Sequence, residues 1–496
     1  MKSKNSIFKV LCKPIIFYKN LSIQIKAGGW FLICIILQKG IVAITTPIYT
    51  RLLSTYEYGN INVYYSWQDI LSIFITLGLS STVFARGIIN NEENKDTYTS
   101  IMLTLMSIIA CGEFIVYLFF HKFINNTIGM NTNYIGMIFV YTYFSCVIDF
   151  WCQKERVLYK YKKFVVVTLL ITICKPIISI FTILVIKKNK AWIRIFCDTT
   201  ITAIIGIILI WIIYKNGKKL YNKQIWRESL IFVIPLIPHY LSQRLLSQSD
   251  RIMISQMIGN SEAGIYSLAY SIGMLLMLFN SAIDSTMSPW IFRKLKEKEY
   301  EKIQIISSLL MKIMALLTIF FVLISPELVS FFGGKKYEAA MYLVPVIVIS
   351  SFFIYVYVQF IYIEYFVGET KYIAFATIIS AVINIILNII GINKFGYYAA
   401  AYTTLICYIL YAIGHYCVMM KLCKSNLKIQ KIYNGKEILK ISILVIGVGF
   451  ILISIYEYTV FRFVITICVI LNIVYKVFST VNKYDNTRKN RSEKSN

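Results

Sequence analysis

Residues 164–186 read FVVVTLLITICKPIISIFTILVI, with one charge, Lys175, and one proline, Pro176. A helix needs about 20 apolar residues to cross a bilayer core about 30 Å thick. This stretch has the length and almost no polar interruption. Working outward, thirteen further stretches read the same way: 28–50, 61–85, 98–120, 134–152, 191–213, 228–256, 262–290, 304–325, 340–363, 371–391, 396–418, 440–456 and 459–479. The composition agrees: of 496 residues, 58% are hydrophobic and 15% charged. The mean hydropathy is +0.66. Soluble domains carry about 25% charged residues. The chain therefore reads as an all-α polytopic membrane protein with about 14 transmembrane helices. A soluble enzyme, a DNA-binding factor and a secreted disulfide scaffold are excluded. The net charge of +27 has a use in membrane topology, so it does not point to nucleic acid.

Basic residues fix the expected orientation, because cytoplasmic loops are enriched in Lys and Arg. With both termini inside, 36 of the 51 Lys and Arg fall on the inner side, counting Lys371, Lys440 and Lys476 at the inner ends of their spans, and 8 on the outer. The expectation is an N-in/C-in, multi-pass protein of the bacterial cytoplasmic membrane. No loop exceeds about 25 residues, which leaves no room for a folded soluble domain. Residues 1–27 form a basic N-terminal segment without a cleavable signal, able to lie on the membrane surface. Residues 480–496 read as a solvated, disordered basic cytoplasmic tail. The eleven cysteines are scattered without a CxxC or Cys/His cluster. Neither a metal site nor a disulfide framework is expected.

The chain also repeats itself. Glu57-Tyr58-Gly59 leads to Tyr65-Ser66, and Glu262-Ala263-Gly264 leads to Tyr270-Ser271, at a constant offset of 205 residues. The same offset carries Lys39 onto Arg244, a cation at mid-depth in each case. Duplication gives two six-helix bundles, 28–213 and 228–418, joined by a cytoplasmic linker at 214–227. A second linker, 419–439, leads to two additional helices in 440–479. Parallel repeats of this kind are a transporter architecture, with the site at the repeat interface near the midplane.

Several motifs resemble those of a known family. Pro47-Ile48-Tyr49-Thr50-Arg51-Leu52-Leu53-Ser54 with Tyr58-Gly59 resembles the first-loop signature of bacterial polysaccharide repeat-unit flippases. Pro238-His239-Tyr240, Ser249-Asp250-Arg251-Ile252-Met253 and Gly264-Ile265-Tyr266-Ser267 resemble their seventh-span region. Ser288-Pro289-Trp290 and the run from Asn388 to Gly396-Tyr397-Tyr398-Ala399-Ala400-Ala401 are similar to later marks. The resemblance spans roughly residues 25–420 and is to the Wzx class of the multidrug/oligosaccharidyl-lipid/polysaccharide (MOP) exporter superfamily. It implies two bundles plus two helices. It also implies translocation of undecaprenyl-pyrophosphate-linked oligosaccharide to the outer leaflet by alternating access, for O-antigen, capsule or exopolysaccharide. Bilayer lipids, and a polysaccharide polymerase with its chain-length machinery, are the implied partners, with no nucleic acid. The last 75 residues and the 98–160 stretch depart most from the pattern. The nearest rival is a multidrug/cation antiporter of the same superfamily; a membrane polysaccharide polymerase is more remote, since the outer loops are short. The chain is not expected to be an enzyme.

Such a substrate needs a wet, cationic path, because unpaired polar groups are costly in hydrocarbon and pyrophosphate is anionic. Charges within spans are functional candidates by default. Lys39 continues a stripe with Ala43, Thr46 and Thr50 on one helix face. Span 7 is the most polar, with Arg244, Gln248 and Arg251 on one face. Arg suits phosphate oxygens through its bidentate fork. Lys39, Arg244, Arg251, Lys175 and Lys312 are the candidate substrate-binding cations; Lys39 alternatively pairs with an acid in the bundle, and Arg251 with Asp250 forms a structural salt bridge or an outer gate. Asp69, Asp284, Asp250 and Glu113 are the candidate coupling or charge-pair acids. The coupling ion would be a proton or Na+, with no other cofactor. Asp69 shares a face with Tyr65, Ser72 and Thr76, and Asp284 with Tyr270, Gly273, Met277 and Ser281. Arg194 and Asp198, at i, i+4, read as an intrahelical pair. Pro235 and Pro238 are candidates for a gate or kink. His239 and His415 read as bundle residues, and Tyr65 and Tyr270 as packing residues or sugar-stacking platforms.

Overall fold

Inside a bilayer every backbone N–H and C=O needs an internal partner, which leaves helices and closed barrels. This chain is helical throughout, with no strand among the described residues. The computed structural model describes residues 21–91, 94–369 and 371–475. Residues 1–20 of the basic N-terminal segment, the last residues of the 459–479 span and the basic tail lie outside the described residues.

Two compact units divide the chain. The first takes residues up to Leu53 and Tyr64–Leu241. It contains α1 (Ile23–Leu52), most of α2 (Thr55–Thr76), α3 (Thr82–Asn90), α4 (Lys95–Ile128), α5 (Thr132–Val157), α6 (Tyr161–Ile186), α7 (Lys190–Gly217) and α8 (Lys223–Val233). Within it α7 packs on α5 and α6, α1 lies on α6, and α4 meets α5 and α7. α1 and α6 keep most of their apolar side chains exposed, Ile44 and Phe181 among them. Such faces suit lipid rather than water.

The second unit takes Ser54–Val63 and the chain from Ser242 onward. Its helices are α9 (Ile237–Met257, from Ser242), α10 (Asn260–Gly273), α11 (Leu276–Lys296), α12 (Tyr300–Leu323), α13 (Ser325–Phe332), α14 (Val344–Val367), α15 (Lys371–Phe395), α16 (Tyr398–Ser425), α17 (Gly435–Ile453) and α18 (Thr459–Tyr475). α14 is the central helix. It packs against α10, α11, α12 and α16, and most of its residues are buried. The C-terminal helices join this unit. α17 packs on α12, and Arg462 of α18 forks onto Glu327, with N–O distances of 2.5 and 2.6 Å.

Eleven of the fourteen expected spans coincide with helices long and apolar enough to cross a membrane. The other three segments are also helical. α2 and α17 carry more polar residues, and α18 is shorter. Three spans are broken. α8 gives way to α9 through the 3-10 turn Ile234–Leu236, where Pro235 and Pro238 remove backbone donors. α2 ends at Leu77 and Gly78, both left-handed (φ 48° and 65°), before α3 begins. α10 ends at Gly273 and α11 restarts at Leu276. The last break divides the expected face from Tyr270 to Asp284 between two helices.

The repeat has a physical counterpart inside the second unit. The first turns of α2 touch α10 backbone to backbone. A Cβ on Gly59 would overlap the carbonyl oxygen of Asn260, and one on Gly264 would overlap that of Thr55. Thr55 and Asn260 are themselves 205 residues apart, so the contact maps onto itself under the repeat.

Candidate functional site

In the first unit the spacing of Arg194 and Asp198 puts both on one face of α7. The Arg194 guanidinium lies 3.7 Å from the centre of the Tyr49 ring. Asp198 is buried, and its Oδ2 accepts the Tyr65 hydroxyl at 2.5 Å. The Tyr49 hydroxyl pairs with Ser179 of α6. Lys175 donates to the Tyr141 hydroxyl at 3.2 Å and sits 4.7 Å from the same ring. Tyr141 in turn meets Tyr65 edge to face. Tyrosines from three helices, Tyr49 of α1, Tyr65 of α2 and Tyr141 of α5, thus flank Lys175 on α6 and Arg194 and Asp198 on α7. Cations over aromatic rings gain about 0.5–2 kcal/mol, more as water is excluded. Lys39 is exposed on α1 and Glu113 half-buried on α4, and neither makes a polar contact with another described residue. Asp69 is half-buried on α2, where its backbone carbonyl accepts the Ser72 hydroxyl at 2.7 Å.

The second unit centres on Asp250. Its carboxylate is buried and accepts three bonds: from Tyr266 at 2.5 Å, Asn388 at 2.7 Å and Thr404 at 2.7 Å. A second layer fixes those donors. Asn388 also donates to Asn384 Oδ1 at 3.2 Å, Ser249 donates to the same oxygen at 3.1 Å, and Thr403 bonds Asn388 Oδ1. Low dielectric strengthens each of these bonds and makes any unpaired member costly. Arg251, next in sequence, lies 4.3 Å from the centre of the Tyr270 ring and donates to Gln248 Oε1 at 2.5 Å. Tyr270 and Tyr65 therefore both carry protein partners. Arg244 lies exposed on the same helix as Arg251.

Two expected groups have specific partners. Lys312 forms an ion pair with Glu437 at 2.6 Å, and Ser308 donates to the same carboxylate. Asp284 Oδ1 accepts the Tyr362 hydroxyl at 2.5 Å. His415 is fully buried against Glu364, Nδ1 to Oε1 at 2.6 Å; His239 is half-buried. No group of three His, Cys, Asp or Glu residues gathers as a metal site among the described residues. The described cysteines are free. Asn384, Asn388, Thr403, Thr404, Tyr49, Tyr141 and Glu364 escaped the sequence reading of the site. One signal was available: Thr377, Ser380, Asn384 and Asn388 form a polar stripe at helical spacing in an apolar span.

A family model described as "Polysaccharide biosynthesis protein" matches residues 25–295, and a MatE model matches residues 235–390. An uncharacterized membrane protein of Haemophilus influenzae is 24% identical over 47% of this chain and 58% of its own length. The probable low-salt glycan biosynthesis flippase Agl15 of Haloferax volcanii is 26% identical over 41% of this chain and 42% of its own length. The chain thus spans about half the length of these curated relatives. Among solved structures, the lipid II flippase MurJ in an inward closed conformation superimposes with a TM-score of 0.67. That match covers 90% of this chain and 98% of that one at 16% identity, a likeness of fold. The chain is a multi-pass membrane protein of the polysaccharide biosynthesis protein family.

Proposed function

We propose that this flippase carries undecaprenyl-pyrophosphate-linked oligosaccharide repeat units from the cytoplasmic to the outer leaflet by alternating access. The match of residues 25–295 to the polysaccharide biosynthesis family carries the reading. The exposed cations Lys39, on an otherwise apolar helix, and Arg244, on the most polar span, support it. A pyrophosphate needs such charges, and a charge in a span is retained at a cost. On this reading Lys39 in the first unit and Arg244 and Arg251 in the second are each candidate headgroup cations, and Lys175 and Lys312 tune the field through their partners. Asp250, Asp284, Asp69 and Glu113 are the candidate coupling acids for a proton or Na+. The orientation is N-in/C-in in the bacterial cytoplasmic membrane, with polymerase and chain-length proteins downstream.

The membrane potential supplies a driving force. Each charge crossing 100 mV is worth about 2.3 kcal/mol. Two headgroup charges moving outward from a negative interior release about 5 kcal/mol at about 100 mV. In proteoliposomes carrying a fluorescent lipid-linked oligosaccharide, collapse of the potential should slow outward flipping severalfold. Flipping unchanged by the collapse would refute the electrical drive. Failure to flip any lipid-linked glycan would refute the substrate class. The MatE match over residues 235–390 favours a cation antiporter as the second reading. Resistance to cationic drugs conferred by the chain, without glycan export, would establish it.

A further inference from the structure

The junction between α16 and α17 is strongly basic. Residues 421–440 read KLCKSNLKIQKIYNGKEILK, with six lysines and one acid, Glu437. Glu437 already bonds Lys312. Lys421, Lys424, Lys428, Lys431, Lys436 and Lys440 are all exposed, and none pairs with a carboxylate among the described residues. The basic run at 293–302 differs: there Lys294 bonds Glu297 and Glu299, and Lys302 bonds Glu299. The junction is also built as a surface. Leu422, Cys423, Ile432 and Tyr433 are buried. The Ile429 N–H donates to the Cys423 carbonyl at 3.0 Å, and the Tyr433 hydroxyl donates to the Gln359 carbonyl of α14 at 2.9 Å. These contacts hold the connector on the second unit and leave its lysines outward.

Both helices continue the lysines into apolar faces. On α16, Ile406, Leu410, Ile413 and Cys417 are exposed at helical spacing, and Lys421 and Lys424 extend that face to the helix end. On α17, Lys436 and Lys440 stand on one face with the exposed Ile443 and Ile451. Glu437 is turned toward α12 by Lys312, which fixes that face outward. Exposed apolar stripes in such helices suit acyl chains. Only nine residues separate Ser425 from Gly435. At about 3.5 Å each, and folded back, they cannot carry the lysines far from the membrane surface. A phospholipid meets both parts of this pattern, with its chains along the stripes and its phosphate at the lysines. An acidic soluble protein meets only the charge. We propose that the α16–α17 junction is a docking surface for anionic phospholipid of the phosphatidylglycerol type, in the leaflet it borders. Clusters of four to eight basic residues beside a span attract anionic headgroups in this way. On the N-in/C-in orientation that leaflet is the cytoplasmic one. The surface is apart from the Asp250 cluster and the span cations, so it does not depend on the flippase reading.

The test is native mass spectrometry of the full chain, delipidated and then offered phosphatidylglycerol and phosphatidylcholine in equal amounts with matched acyl chains. The proposal expects the wild type to retain phosphatidylglycerol at least fivefold over phosphatidylcholine. A variant combining Lys424→Gln, Lys428→Gln, Lys431→Gln and Lys436→Gln should lose at least threefold of that preference at an unchanged melting temperature. A control combining Lys160→Gln, Lys162→Gln and Lys163→Gln, at the start of α6, should keep it. Equal retention of both lipids by the wild type would overturn the proposal, as would an unchanged preference in the fourfold variant. An equal loss in the control would overturn it by showing a general effect of charge. Displacement of phosphatidylglycerol by the same concentration of inorganic phosphate would overturn it in favour of a free-anion site. Should the fourfold variant fail to fold, Lys428→Glu with Lys431→Glu, both in the connector, decides by the same threefold criterion.

Discussion

Asp250 and its neighbours show how a charge is kept inside an apolar helix bundle. Three donors converge on one carboxylate, and a second layer of amides and hydroxyls holds them. Asp250→Ala strands all three donors, each at about 1–3 kcal/mol. Its melting temperature should fall well below that of Asp250→Asn, whose carbonyl still accepts. Equal melting of the two variants would show that the network is not structural. A different charge cluster lies outside the spans. Lys294 and Lys302 bond the Glu299 carboxylate and hold it down to about 2 from an ordinary 4.5. A depressed folded value stabilises the protein above the ordinary one and loses that effect as pH falls toward about 2. The melting-temperature gap between wild type and Glu299→Gln should hold steady from pH 7 to pH 5. It should close only in stronger acid. Asp250 itself was legible, because a charge in a span announces itself. Its partners were not: spacing shows that Asn384 and Asn388 share a face, but not which helix that face meets.

At the scale of elements, the glycines at 59 and 264 set how closely α2 and α10 approach. Neither site has space for a Cβ, and the atoms in the way are backbone. Close small-residue contacts are a common device for helix association in membranes. Overpacking a core costs about 1–3 kcal/mol, and backbone cannot move aside as a side chain can. Gly59→Ala and Gly264→Ala should each destabilise the protein by an amount near the top of that range, read as a lower melting temperature. By contrast, Gly112→Ala, where the space is open, should be neutral. The repeat was legible as a 205-residue echo, but the meeting of its two glycines was not. The break between α8 and α9 was legible in Pro235 and Pro238. The other two breaks were not: Leu77 has no sequence reason to be left-handed, and Met274-Leu275 carries no proline. Those positions are set by tertiary packing rather than by local preference.

For the whole molecule, hydropathy carried most of the fold. All fourteen expected segments contain helix, and eleven of those helices meet the length and apolarity of a span. The others fell short for visible reasons: polar residues in α2, three charges near the start of α17, and the length of α18. Family membership rests on 25–295, the region that also holds Lys39, Arg244 and Arg251. Side-chain partners were the least legible part. Lys312 reads as a candidate substrate-binding cation in sequence, yet it bonds Glu437, more than a hundred residues away. The central claim is that exposed span cations, Arg244 foremost, carry an anionic lipid-linked glycan. Its most direct test is complementation in a host deleted for its own flippase, read by surface polysaccharide staining. The account predicts that the wild type restores the polysaccharide, that normally expressed Arg244→Ala cuts it at least tenfold, and that Arg244→Lys retains part. Full restoration by Arg244→Ala would contradict the assigned cation, and no restoration by inserted wild type in hosts of several glycan types would contradict the function.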